Sequence, residues 1–146
     1  MDLTKSYPRS VREKMLGIVQ LARTIDKGKA LAHGEIGEYN YECPMDKHLF
    51  EFLALDGAKL LDVIKNAKND AEIEAYVKPF VEKKPAGDLQ KFNEEWVKYG
   101  PAAGTQGYDY FMKLRNEVAP SRTDVTTWAD LLDLDEKRSV PQRAAA

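Results

Sequence analysis

Cys43 stands directly before Pro44, and this pair is where the sequence offers chemistry. Proline suits the first helical position because it has no N–H to leave unpaired. Cys43 therefore falls at or beside a helix N-cap. The first N–H groups of a helix and its dipole stabilise negative charge there. That favours the thiolate, which is the nucleophilic form of cysteine. Asp46 and Lys47 follow three and four residues on, so they share a helix face with Cys43. Lys47 would favour the thiolate and Asp46 would oppose it. His48, five positions on, turns away from the thiol. His33 reaches it only through the tertiary fold. The competing role for Cys43 is a small buried hydrophobe under a helix start. As the only cysteine it has no resolving partner, which excludes dithiol redox chemistry within one chain.

A second constellation is Arg23, Asp26 and Lys27, spaced i, i+3 and i+4 on one helix face. The two cations could bind a carboxylate or phosphate, with Asp26 orienting the arginine. The plainer reading is an ion pair worth little. Tyr39 and Tyr41 are candidates to line a ligand groove. No Cys-x-x-Cys, His-x-x-x-His or Glu-x-x-His spacing is present, so no metal site is expected. Gly100–Gly107 lacks the Gly-Lys-Ser/Thr ending of a phosphate loop. Asp130, Asp133, Asp135 and Glu136 lack the glycine and spacing of a calcium loop. No cofactor is expected.

These residues need helices to position them. Ser10 and Glu13 fit a capping box, and Val11, Met15, Ile18, Val19, Ala22 and Ile25 recur at spacings of three and four. That pattern predicts a first helix over 11–33, stopped by Gly34. Residues 35–42 alternate apolar and polar and contain two tyrosines, which predicts an extended connector, or at most a short strand or hairpin. Pro44 starts a second helix and Asp56 caps a third. Asp70 caps a fourth that Pro79 ends or restarts. Further helices follow Asp88, Tyr108 and Thr127. The sum is a single all-α domain of about seven helices over residues 1–146. Residues 1–9 form an N-terminal arm, and residues 140–146 form a loosely held tail.

Composition narrows the class. A chain of 146 residues can support one core without disulfide or metal. Hydrophobic residues make up 43% and charged residues 32%, values of an ordinary globular protein. The 22 basic and 24 acidic side chains are mixed along the chain. No nucleic-acid partner and no anionic membrane surface is therefore expected. One cysteine fits a reducing compartment. The N-terminus lacks the apolar run of a signal peptide, and the expected location is the cytoplasm.

Four segments in order resemble the bacterial family called domain of unknown function 5069: Met1–Lys5 with Pro8–Ser10, Leu21–Ala30, Gly37–Asp46 and Arg122–Glu136. The resemblance spans nearly the whole chain, although residues 63–107 match only in helical character. It implies a single soluble bacterial domain and carries over no catalytic residue.

Two functions follow. The first is a helical binding or interaction module that holds a protein or small-molecule partner in a groove lined by Tyr39 and Tyr41. The second is a small thiol-dependent enzyme or redox-responsive protein using Cys43, with Lys47 in support and Arg23 or His33 as further candidates. The first is preferred, because the second has no visible base in the right place.

Overall fold

A computed structural model gives the architecture and describes residues 1–144. Among these residues the chain forms seven α-helices and no strand. They are α1 (Leu21–Ala32), α2 (Pro44–Leu53), α3 (Gly57–Asn66), α4 (Asp70–Glu82), α5 (Ala86–Val97), α6 (Gln106–Val118) and α7 (Trp128–Asp135). The fold is all-α, as the sequence predicts. Contacts cluster into two compact units, one spanning Met1–Asn93 and one beginning at Glu94, within α5.

The first unit is built around α1. Nine of its residues, Leu21 to Gly28 and Ala30, are buried, so the helix is enclosed on nearly all sides. It packs on α3 and α2, and α3 packs on α4. Gly28 permits the close approach: a Cβ there would lie 2.7 Å from Ile64 Cδ1 and 3.4 Å from the Tyr41 ring.

The first helix is shorter than expected, and its physical reason is local. Leu16 and Gly17 have φ of 55° and 78°, which forms a left-handed two-residue turn. Met15 and Ile18 exchange backbone hydrogen bonds of 3.1 Å across it. Gln20 is also left-handed, with φ 73°, so α1 cannot begin before Leu21. Val11, Met15, Ile18 and Val19 are buried as expected, but from a folded loop. Their spacing mimics a helical stripe. The Asn93 side chain of α5 fastens this loop: its Oδ1 accepts from the Val19 N–H at 3.0 Å and its Nδ2 donates to the Gly17 carbonyl at 2.9 Å.

Other helix ends follow local chemistry. Pro44 is the first residue of α2, with Cys43 as N-cap. Asp56 accepts from the Ala58 and Lys59 N–H groups. Asn69, not Asp70, caps α4, and Pro79 lies inside that helix. Residues 35–42 form turns joined by irregular backbone, without strand pairing.

In the second unit α6 packs on α7. Its core holds Phe111, Val125 and Leu131, with Trp128 edge-on to Phe111 at 5.0 Å. Burying a side chain such as Phe111 contributes about 1.5–3 kcal/mol. The Thr127 side chain caps α7 by accepting from the Asp130 N–H, as its spacing predicts. The tail is a correction: residues 140–143 are tied down by Arg122, Asp124 and Asp130. Charged partners hold it where composition suggests looseness. Ala145 and Ala146 lie outside the described residues.

Candidate functional site

The candidate residues of the first unit converge where the connector over residues 39–43 lies along α1. They meet in chain order. The Arg23 guanidinium stands over the Tyr39 ring at 5.6 Å from its centroid. Lys27 Nζ donates to the Asn40 carbonyl at 3.0 Å and to Cys43 Sγ at 3.2 Å. Tyr41 packs over Gly28 and donates its hydroxyl to the Gly57 carbonyl at 2.7 Å.

Lys27 is the hub of this arrangement. Its ammonium lies 2.7 Å from Asp46 Oδ2, with the side chains only 4% and 0% exposed. That contact is an ion pair whose angles fall outside hydrogen-bond geometry. The other oxygen, Asp46 Oδ1, accepts from Thr24 Oγ1 at 2.5 Å and Gln20 Nε2 at 3.0 Å. Buried charges persist when they are paired and hydrogen-bonded, and Asp46 meets that condition through Lys27 and Thr24 of α1 and Gln20 at its N-cap.

Cys43 is half-buried at the N-cap of α2, as its place before Pro44 predicts. The cation that reaches it differs from expectation. Its side chain makes no capping hydrogen bond to the helix. The cation on the sulfur is Lys27, contributed by α1. Lys47 is exposed and lines a surface hollow of about 520 Å³ with Glu42, Phe50, Glu51 and Asp56. Helical spacing reveals only neighbours on the same helix, so it selects Lys47 and misses Lys27.

Asp26 likewise has a partner from outside its helix. It takes the guanidinium of Arg9 in a fork, Nε to Oδ2 and Nη2 to Oδ1 at 3.0 Å each, and accepts from the Arg9 N–H at 2.8 Å. Asp26 holds the Arg9 guanidinium in its charged form more firmly than usual. Arg23 is buried and donates to the Arg9 carbonyl at 3.2 Å. Arg23 and Asp26 thus both hold the chain at Arg9, while Lys27 holds residues 40–46. Arg9 carries no periodic signal in the sequence. Thr24 does, lying three residues before Lys27 on its helix face, and Gln20, seven residues before it, has the spacing but sits at the N-cap.

Tyr41 is fixed by its ring packing and by the Gly57 carbonyl. Burial, with the nearby Asp46 charge second, pushes its phenol well above the usual range. His33 Nδ1 lies 2.9 Å from the Lys29 carbonyl at the end of α1, the expected role for a histidine there. His48 stacks on Phe92 at 5.6 Å. No group of three or more His, Cys, Asp or Glu side chains placed to hold a metal occurs among the described residues. No helix among them is long and apolar enough to cross a membrane.

Residues 5–138 match a family model described as a domain of unknown function (DUF5069). No curated protein matches the chain.

Proposed function

We propose that this chain, which belongs to the domain of unknown function 5069 family, is a helical binding module that holds a protein or small-molecule partner and performs no covalent chemistry itself. The observation that carries this reading is the engagement of Lys27 with Asp46, the Asn40 carbonyl and Cys43. A general base needs a lone pair facing the proton it takes. An ammonium ion-paired to a buried carboxylate presents none. The polar groups that most resemble an active site are occupied with one another. Large aromatic side chains meanwhile face solvent in the second unit, with Tyr99 48% and Tyr110 62% exposed. Exposed rings with a polar tip suit recognition surfaces. The reading also takes the protein to be bacterial and cytoplasmic, on the sequence resemblance and the single cysteine.

The test is alkylation of Cys43 by iodoacetamide at neutral pH. The expected rate in the folded protein is no greater than in the urea-unfolded chain. A faster folded-state reaction that slows in Lys27→Met would overturn the reading. It would favour the second one, a redox-responsive or thiol-dependent protein in which Lys27 supports Cys43. The 3.2 Å contact between Lys27 Nζ and Cys43 Sγ is what speaks for that alternative.

A further inference from the structure

Residues 138–144 carry neither helix nor strand, yet side chains of the second unit read them group by group. Arg122 donates Nη1 to the Val140 carbonyl at 3.0 Å and Nη2 to the Pro141 carbonyl at 2.9 Å. Arg122 is itself aligned by Asp124, which accepts its Nε at 2.9 Å and its Nη2 at 3.0 Å. The same carboxylate accepts from the Arg143 N–H at 2.8 Å. The Arg143 guanidinium lies in a fork on Asp130, with Nε to Oδ2 at 3.0 Å and Nη2 to Oδ1 at 2.9 Å.

These contacts have the character of peptide recognition. Two carbonyls and one N–H are main-chain groups that an extended segment of any sequence presents. The single side chain read is an arginine, on a carboxylate only 3% exposed. A planar fork of two parallel bonds selects guanidinium over ammonium. The Arg143 side chain is 41% exposed, so the strap is open to solvent at the residue that carries its specificity.

We propose that Arg122, Asp124 and Asp130 form a recognition site for an extended arginine-bearing peptide, occupied in this chain by its own residues 140–143. The proposal rests on the binding-module reading and names the class of partner. A tethered strap competes at high effective concentration, so a free peptide must displace it.

The probe is a fluorescent peptide with the sequence of residues 139–144, blocked at both ends. It is titrated into the full chain and into the full-length Arg143→Ala variant, each shown to be folded by circular dichroism. The variant is expected to bind the peptide, and the wild-type chain to bind it about tenfold more weakly or less, because its own strap competes. Binding should fall when the peptide arginine is replaced by lysine, and when Arg122→Ala is added to the variant. No binding to the folded variant, or equal binding of the lysine peptide, overturns the proposal. Should the variant not fold, NMR of the Arg143 backbone N–H of the isotope-labelled wild-type chain is the readout. A shift of that signal as unlabelled peptide is added supports displacement, and an unchanged signal overturns it. Cys43 plays no part in this experiment, so rapid alkylation of Cys43 and failure of the peptide to bind are separate results.

Discussion

Lys27 Nζ and Asp46 Oδ2 meet at 2.7 Å with both side chains sealed from solvent, joining α1 to α2 through the interior of the first unit. Such a pair stabilises little relative to apolar residues of the same shape, but losing one partner strands the other's charge. Lys27→Met is therefore expected to lower the unfolding free energy by about 3–5 kcal/mol. The double change Lys27→Met with Asp46→Leu should recover much of that loss. Urea unfolding of the wild type and these two variants tests it. A double variant no more stable than the single one would show that the pair is not coupled in this way.

Gly28 sits where α1, α3 and the connector come closest. A Cβ would meet Ile64 Cδ1 at 2.7 Å. Overpacking of this kind costs about 1–3 kcal/mol, against about 1 kcal/mol gained in helix propensity. Gly28→Ala should therefore range from neutral to about 2 kcal/mol destabilising. Ile64→Val removes the clashing atom, so the two changes together should cost less than the sum of each alone. Thermal melts of the four-member cycle test it, and simple additivity would rule out the steric account.

Tyr41 gives the first unit a dependence on alkaline pH. Its phenol ionises well above the usual range when folded, chiefly through burial. The unfolded phenol ionises near its ordinary value of about 10. A raised folded value contributes stability that is full below the unfolded value and lost as pH rises beyond it. Between about pH 9 and 11 the wild-type urea midpoint should fall more steeply than that of Tyr41→Phe. At neutral pH the variant should be about 1 kcal/mol less stable, because the Gly57 carbonyl loses its donor. Parallel pH profiles would refute the assignment.

The strap of the second unit responds to acid instead. Arg122, and next the Arg143 N–H, hold the Asp124 carboxyl below the usual carboxylate range. A depressed value contributes stability present above the unfolded value of about 3.9 and lost as pH falls through the folded one. The strap should thus stay seated through pH 5 and release only in strong acid, below about pH 3.9. NMR of the Arg143 backbone N–H, which donates to Asp124, follows this directly against pH. Its release near pH 5 would contradict the Asp124 contact.

Much of this fold is written in short-range signals. Pro44, Asp56 and Thr127 mark helix starts because caps act within one turn. The start of α1 is hidden because the left-handed backbone of Leu16 and Gln20 has no side-chain signature, while the apolar spacing through Ile18 imitates a helix. The face shared by Cys43 and Asp46 is legible from helical geometry. The cation that serves them is not: Lys27 lies 16 residues before Cys43. Arg9 reaches Asp26 across 17 residues. Such pairings depend on tertiary packing, which local periodicity does not encode.

The Asn93 amide that fastens the Gly17 loop has a consequence for the chain as it is made. Val19 leaves the peptidyl-transferase centre 74 residues before Asn93 is added. At about 5–20 residues per second that interval is on the order of 4–15 seconds. Throughout it, the exchange between Met15 and Ile18 can form locally, but the Val19 N–H and Gly17 carbonyl lack the side chain that joins them to α5. A chain stalled before Asn93 therefore lacks the side chain that fastens its N-terminal loop, which can close only once α5 has been made and released.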